Sequence, residues 1–197
     1  GYPLIEAYLT GKELKTVAEI DASVSDLMTS ARLYMYGLQF TYNPHRMILN
    51  RVTDVYLLDA DGNRRELEDD KLYRVVADLY SGQMLSAVTK TSYGLLSVVP
   101  KKADGTPIEN FEDVILTDNG GELKAWTAIA HYMESFPDEN GDGIADIPQY
   151  YAGLHERKVV DDSANLIKLI KNPNKYAVMI AGVVLIVILL VVLLIRL

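Results

Sequence analysis

The sequence predicts an α+β domain, with a mixed or antiparallel sheet and packed helices, followed by one C-terminal transmembrane helix. Short segments that alternate apolar and polar residues, as half-buried strands do, lie between turn residues. Two other segments repeat their apolar residues at helical spacing. The run 177–195 has no charged or amide side chain. As a helix it is about 28 Å long, close to the hydrocarbon thickness of a bilayer. Buried core helices seldom run so far without a polar face.

The first predicted elements are a strand and a helix. Residues 4–9 alternate as a strand. Thr10 and Glu13 follow with the spacing of a capping box, in which each side chain accepts a hydrogen bond from the other residue's backbone N–H. A helix is therefore predicted to begin after Thr10.

Two further strands and a hairpin turn are predicted next. Residues 32–42 alternate sharply, and every second side chain from Tyr34 to Tyr42 is aromatic or apolar, as in a strand. Asn43-Pro44 ends this strand. Residues 52–58 form the following strand. The turn 59–63 contains aspartate, glycine and asparagine and sends the chain back as a hairpin.

The rest of the chain is predicted to contain a strand, a helix, a linker and the membrane span. Residues 72–80 form a mostly buried strand, and residues 122–136 form a helix. One side of this helix carries Leu123, Trp126, Ile129, Ala130 and Met133. We therefore divide the chain into a domain at 1–156, a polar stalk at 157–175 and a transmembrane helix at 176–196.

Composition excludes several classes of function. The chain has 27 acidic and 19 basic residues and a net charge of −8, which argues against a nucleic-acid-binding surface and against electrostatic attachment of the domain to anionic lipid. Without cysteine it has neither disulfides nor thiol chemistry. Phosphate-binding glycine loops, nucleophile elbows and zinc-protease motifs do not occur in the sequence. We therefore predict no catalytic residue within this chain.

The flanks of the apolar run bear on orientation. Lys168, Lys171, Lys175 and Tyr176 precede the run and Arg196 follows it, and a count of these cations would place the domain in the cytoplasm. The sequence, however, opens inside a predicted strand without Met or a signal peptide and stops just after Arg196. We expect the C-terminal piece of a larger protein, held at the cell membrane by a single-pass anchor, with its domain outside the cytoplasm.

A loop before the stalk has the ligand spacing of a calcium site. Oxygen donors occupy positions 1, 3, 5, 7 and 9 of such a loop, and a glycine occupies position 6. The predicted ligands are Asp138, Asn140, Asp142, Ile144 (through its carbonyl) and Asp146. Position 12 is Gln149 instead of the bidentate glutamate of an EF-hand, so we expect weak binding of Ca²⁺ in a structural role. The alternative is a metal-free, solvated acidic turn.

Four segments resemble, in order and at similar spacing, the C-terminal domain of 5′-nucleotidases of the membrane-anchored bacterial type. They are residues 1–14, 36–44, 51–55 and 71–77, and the resemblance extends over roughly residues 1–136. It implies a β-rich α+β domain that follows an N-terminal calcineurin-like metallophosphoesterase domain. A divalent metal pair in that N-terminal domain would activate water against a phosphate ester, while the C-terminal domain would bind the nucleoside by stacking its base between two aromatic rings.

The resemblance also implies where those rings lie. The first falls near the start of the 32–42 strand, where Tyr34 and Tyr36 are the nearest aromatic residues, although packing in the core is an alternative for both. The second belongs to a glycine-rich loop, which the sequence replaces with residues 81–86. Tyr93, further along, is the other candidate, with packing again the alternative. We predict these three tyrosines as substrate-binding residues.

We predict the substrate-binding domain of a cell-surface 5′-nucleotidase-like metallophosphoesterase. Its partners would be a nucleotide or related phosphate ester, its own N-terminal domain and the membrane, but no nucleic acid. One alternative is a non-catalytic, membrane-anchored binding or adhesion module. Another, within the hydrolases, is a 2′,3′-cyclic-nucleotide phosphodiesterase.

Overall fold

The computed structural model describes residues 1–25, 28–29, 32–59, 61–91 and 96–196. They form two compact units. The first unit combines Gly1–Thr16 with Glu68–His155, and the second combines Val17–Leu67 with Glu156–Leu197. Sheets and five helices are present, which confirms the predicted α+β class.

The first unit is built on an antiparallel pair of strands. β1 (Leu4–Thr10) pairs along its whole length with β5 (Leu72–Asp78). The alternation of β1 buries Ile5, Ala7 and Leu9 and leaves the intervening side chains partly exposed. The other elements are the start of α1 (Gly11–Val24), α2 (Leu79–Thr91), β6 (Thr117–Asp118), β7 (Gly121–Glu122), α3 (Ala125–Glu134) and two short 3₁₀ turns, Phe111–Val114 and Gln149–Ala152.

The capping box at the start of α1 is confirmed. The Glu13 backbone N–H donates to Thr10 Oγ1 (3.2 Å), and the Thr10 N–H donates to Glu13 Oε2 (2.8 Å). The first residue of the helix is Gly11, and a larger residue would not fit there, because a Cβ at this position would lie 2.2 Å from the carbonyl oxygen of Glu68. The cap therefore fixes the start of α1, and glycine allows the close approach of residue 68.

The second unit contains a four-stranded sheet. Its strands are β2 (Leu38–Tyr42), β3 (Val52–Leu58), β4 (Arg64–Glu66) and β8 (Lys158–Val160), in the order β4-β3-β2-β8. β8 is parallel to β2 and the other pairs are antiparallel. The predicted hairpin at 59–63 is confirmed: Asp59 Oδ1 accepts hydrogen bonds from the N–H groups of Asp61 and Asn63, and Gly62 has φ +80°. Leu38, Phe40 and Val55 form the core below the sheet.

The end of the chain is more ordered than the stalk predicted at 157–175. That segment contains β8, which is part of the sheet, and α4 (Leu166–Ile170). It leads into α5 (Lys175–Arg196), a 22-residue helix long and apolar enough to cross a membrane, which could be a membrane anchor. Pairing with β2 gives β8 the backbone hydrogen bonds that an extended, solvated stalk lacks.

Three predicted elements differ in extent or burial. The 32–42 strand begins only at Leu38, because Gly37 turns the chain with φ +82°. The 72–80 strand ends at Asp78 and is partly exposed instead of mostly buried. The apolar side of α3 lies on the surface: Trp126 is 63% and Ile129 60% exposed. Helical periodicity identifies an apolar face but does not identify what covers it.

Candidate functional site

Tyr34 and Tyr36 lie in the irregular segment that precedes β2, in the second unit. Tyr34 is 91% exposed and Tyr36 is 85% exposed. Both lie before the turn at Gly37 and thus outside the strand that contributes Leu38 and Phe40 to the core. These two rings therefore do not pack in the core, and most of their surface is accessible to a flat ligand.

Each of these rings has a cation above it. The guanidinium carbon of Arg157 is 4.9 Å from the ring centroid of Tyr36, and the Nζ of Lys158 is 5.7 Å from that of Tyr34. At exposed sites such cation–π contacts contribute about 0.5–1 kcal/mol. Arg157 and Lys158 also donate hydrogen bonds to the carbonyl oxygens of residues 35 and 33, one position before each tyrosine. The two cations thus hold the backbone on which both rings are carried.

A buried carboxylate fixes this arrangement from below. The Asp21 side chain on α1 is only 3% exposed and forms an ion pair with Lys158 Nζ at 2.6 Å. Its other oxygen accepts a hydrogen bond from the backbone N–H of Leu33 (2.7 Å). The Arg157 carbonyl accepts from the Phe40 N–H (3.1 Å), which ties the start of β8 to β2. Three distant parts of the sequence therefore meet at one place in the second unit.

We call Tyr34, Tyr36, Arg157 and Lys158 the tyrosine–cation cluster. Its chemistry suits a ligand that is flat at one end and negatively charged at the other. Exposed aromatic faces bind nucleobases by stacking, which contributes about 1–3 kcal/mol per base. Guanidinium groups bind phosphate oxygens through charge-assisted hydrogen bonds. Arg157 is therefore the cation of the cluster that suits this role, since the Lys158 ammonium is paired with the buried Asp21.

The region expected to supply the second aromatic ring has a different structure. Residues 81–86 are not a loop: they lie within α2. Asp78 caps this helix by accepting hydrogen bonds from the backbone N–H (2.9 Å) and the hydroxyl (2.7 Å) of Ser81. In the first turn of α2, Tyr80 stacks on Tyr2 at a centroid distance of 5.4 Å. Tyr93, the third predicted binding residue, lies outside the described residues.

The predicted calcium loop curls around one carboxylate in the first unit. Asp138 Oδ1 accepts hydrogen bonds from the N–H groups of Gly141 (2.7 Å) and Asp142 (3.2 Å), and Oδ2 accepts from Gly143 (2.8 Å). Asn140 Oδ1 accepts from the Asp142 N–H at 2.9 Å. These N–H donors, Gly143 first and then Gly141, lower the pKa of the Asp138 carboxyl below its ordinary value.

The same loop is closed by its last acidic residue. Asp146 Oδ2 accepts a hydrogen bond from the Glu139 N–H (2.8 Å), while Asp142 Oδ1 accepts from the Ile144 N–H (2.9 Å). Carboxylate oxygens that accept one N–H keep a lone pair for a cation. Among the described residues, however, no group of three or more His, Asp or Glu side chains is arranged to hold a metal ion. The side-chain oxygens of the loop thus accept hydrogen bonds from the loop's own backbone N–H groups.

Sequence reasoning missed the cationic half of the tyrosine–cation cluster. The sequence pattern places Arg157 and Lys158 in the stalk and gives no signal for Asp21. A signal for β8 is present, because Lys158-Val159-Val160 is a short β-branched segment bounded by charges. Its pairing with β2 is not encoded locally, so a sequence pattern alone cannot place the two cations beside the tyrosines.

Residues 1–88 match the family model described as the C-terminal domain of 5′-nucleotidase. Among solved structures, the chain resembles the 5′-nucleotidase precursor from Thermus thermophilus, with a TM-score of 0.51 and 21% identity over 81% of this chain and 25% of that one. It also aligns with the NAD nucleotidase of Haemophilus influenzae, with a TM-score of 0.38 and 24% identity over 49% of this chain and 17% of that one. No curated sequence matches. The chain therefore has the expected fold and spans about a quarter of the Thermus protein.

Proposed function

We propose that this chain, whose residues 1–88 match the C-terminal domain family of 5′-nucleotidases, is the substrate-binding part of a membrane-anchored nucleotide hydrolase. The observation that carries the proposal is the tyrosine–cation cluster. Two exposed aromatic rings each lie beside a cation, and the buried Asp21 carboxylate holds Lys158 in place. The rings offer a surface for a base, and Arg157 offers a partner for a phosphate.

The rest of the proposed function concerns the whole protein. Hydrolysis of the phosphate ester takes place in an N-terminal metallophosphoesterase domain with a divalent metal pair, and the present chain positions the nucleoside. α5 anchors the protein in the cell membrane and leaves the domain outside the cytoplasm. The support is the family match and the presence of a single long apolar helix among the described residues.

Alanine at both Tyr34 and Tyr36 is expected to weaken the binding of adenosine monophosphate to the full chain. The loss of one or two stacking surfaces, at about 1–3 kcal/mol each, corresponds to at least a several-fold rise in Kd. Isothermal titration calorimetry of the protein in detergent measures this Kd. Arg157→Ala is expected to weaken the binding of adenosine monophosphate more than the binding of adenosine, because the substitution removes a contact with the phosphate.

Tyr56→Ala is the matched control for this experiment. Tyr56 lies on β3 in the same unit and has Arg64 above its ring at 4.3 Å, so it reproduces a tyrosine–cation pair outside the cluster. Its substitution is expected to leave the affinity unchanged. Equal losses in Tyr56→Ala and in the double variant would contradict the assignment of the site to Tyr34 and Tyr36.

We also propose that the loop 138–146 binds Ca²⁺ weakly and stiffens the end of the first unit. Addition of calcium to the full chain is expected to give a binding isotherm that disappears in the Asp138→Ala/Asp142→Ala double variant. Asp104→Ala is the control, because Asp104 also accepts hydrogen bonds from within its own turn (from the Thr106 N–H and hydroxyl) but has no calcium spacing around it. An isotherm that persists in the double variant would refute the site.

A further inference from the structure

The first turn of α5 is held inside the second unit. Asn174 caps the helix by accepting hydrogen bonds from the N–H groups of Tyr176 (3.1 Å) and Ala177 (3.0 Å). Tyr176 and Ala177 are only 4% and 8% exposed, whereas Val178, the next residue, is 58% exposed. Ile180, one turn further on, is still partly buried, so α5 leaves the second unit within its first two turns.

The residues before α5 are fixed just as closely. The backbone N–H of Asn174 donates to Asn50 Oδ1 (2.9 Å), and its Nδ2 donates to the Leu49 carbonyl (2.6 Å). Arg46 donates to the carbonyl oxygens of Lys168 and Lys171, both at 2.9 Å. No flexible spacer therefore separates the second unit from α5.

This rigid connection determines where a membrane must lie. Residues 178–195 are about 27 Å long as a helix, which nearly equals the roughly 30 Å hydrocarbon core of a bilayer. If this helix spans the membrane, Val178 enters the hydrocarbon directly. The protein surface that surrounds Tyr176 must then be at the depth of the lipid headgroups.

The two segments that hold the start of α5 carry exposed apolar side chains, which we call the apolar patch: Met47, Ile48, Leu166, Ile167 and Ile170. The three residues from α4 are 73–76% exposed, and Met47 and Ile48 are 38% and 43% exposed. Met47 and Ile48 lie between Arg46 and Leu49, both of which contact the segment 168–174. Exposed apolar side chains grouped in this way mark a surface that contacts another apolar phase.

The charges next to the patch favour lipid as that phase. Lys168, Lys171 and Lys175 lie within and after α4. Lys168 is paired with Asp161 at 3.1 Å, and beyond Asp162 the sequence has no acidic residue, so Lys171 and Lys175 are followed by no carboxylate side chain. The chain as a whole is acidic, with a net charge of −8, so this end has the opposite sign from the rest. Apolar side chains flanked by lysines are typical of short helices that lie in the lipid–water interface.

We propose that the apolar patch lies in the lipid–water interface, so that the second unit rests directly on the bilayer surface. The proposal depends on the membrane anchor proposed above, but it is independent of nucleotide binding. The patch would be a second contact with lipid in addition to the membrane-spanning helix. The connection between the second unit and this helix would be rigid, in place of the flexible stalk that the sequence predicts.

Fluorescence quenching by brominated lipid tests this proposal on the full chain. Because the chain has no cysteine, single cysteines can be introduced at Ile48, Ile167 and Ile170 in the patch, labelled with an environment-sensitive fluorophore, and reconstituted in vesicles of phosphatidylcholine and phosphatidylglycerol. We expect these labels to lose emission when the acyl chains are brominated near the headgroup. Cysteine at Ile186, in the middle of α5, is expected to lose emission with bromine deep in the chains.

An exposed position of the second unit that is distant in sequence from α4 and α5 is the control: Asp61→Cys in the 59–63 turn. This label is not expected to lose emission. Quenching at Ile186 without quenching at the patch would overturn the proposal and leave the anchor intact. No quenching at Ile186 would overturn both. A blue-shifted but unquenched patch label would show that protein, such as a second copy of this chain, covers the patch, and would also overturn the proposal.

Discussion

Replacement of Glu13 by alanine is expected to lower the free energy of unfolding by about 3–5 kcal/mol, the cost of removing one partner from a largely buried ion pair. The Glu13 carboxylate lies 2.6 Å and 2.7 Å from Lys101 Nζ through its two oxygens. The two side chains are only 11% and 18% exposed. Without Glu13, the Lys101 ammonium stays in the protein interior without its counter-charge.

Glu13 also satisfies backbone groups from two separate segments of the first unit. It accepts hydrogen bonds from the N–H of Thr10 (2.8 Å) and from the N–H of Val99 (3.0 Å). A buried N–H that loses its acceptor costs about 1–3 kcal/mol. The same carboxylate therefore caps α1 and fixes residues 99–101 beside β1. For this reason we expect a larger effect than for loss of a helix cap alone.

The effect of Glu13 should depend on pH in a defined direction. Burial alone would raise the pKa of Glu13, but Lys101 and the N–H donors of Thr10 and Val99 outweigh it, so the pKa lies below its ordinary value. A carboxyl with a lowered pKa in the folded state stabilises the protein above its unfolded pKa, and this contribution is lost as the pH falls through the folded pKa. The difference between wild type and Glu13→Ala should therefore shrink in acid.

Urea unfolding of the full chain in mild detergent, followed by circular dichroism over a series of pH values, measures these effects. Glu13→Gln is the informative control, because glutamine can keep the capping box but not the charge. It should fall between wild type and alanine. A double-mutant cycle with Lys101→Met isolates the ion pair. Strictly additive effects of Glu13→Ala and Lys101→Met would show that the two residues do not stabilise one another.

The elements that the sequence predicts correctly are those encoded by neighbouring residues. The capping box of Thr10 and Glu13, the hairpin at 59–63 and the strand Val52–Leu58 each depend on residues within one turn or one strand. One element is predicted wrongly although its signal is local. Asp78 is a suitable N-cap residue, but the apolar character of residues 72–80 favours a strand that continues past Asp78, so the start of α2 is not predicted.

The candidate site could be predicted only in part, because its halves are far apart in the sequence. Tyr34 and Tyr36 emerge from the family resemblance, which aligns residues near them. Their cationic partners lie far along the chain: Arg157 follows Met35, whose carbonyl it binds, by 122 residues, and Lys158 follows Leu33 by 125. A contact at this separation comes from the parallel pairing of β8 with β2, and parallel pairing leaves no turn signal in the sequence.

Replacement of Arg46 by methionine is expected to detach α4 from the second unit and to destabilise the protein by about 3 kcal/mol or more. Arg46 is 5% exposed, and its guanidinium donates to the carbonyl oxygens of residues 50, 168, 171 and 172. Those at 168 and 171 lie at the C-terminal end of α4, where carbonyls have no partner within the helix. Methionine has a similar length but offers them no donor.

Arg46 also acts on a buried carboxyl. Burial raises the pKa of Glu19, whereas the charge of Arg46 and the hydrogen bonds from Ser23, Val52 and Arg51 oppose that rise. A raised folded pKa means that the contribution of Glu19 to stability is present below its unfolded pKa and is lost as the pH rises through the folded pKa. Without Arg46 the pKa of Glu19 rises further, so the destabilisation by Arg46→Met should be larger at neutral pH than in acid.

Hydrogen–deuterium exchange locates this effect. In Arg46→Met, amides of residues 158–174 should exchange faster, and trypsin should cleave after Lys168 and Lys171 sooner than in wild type. Arg65→Met is the matched control, because Arg65 is 70% exposed and its loss should change stability by less than about 0.5 kcal/mol. Unchanged exchange over 158–174 in Arg46→Met would mean that the backbone of α4 is held by other contacts. The rigid connection of the second unit to α5 would then depend on the hydrogen bonds that Asn174 makes with Asn50 and Leu49, and not on Arg46.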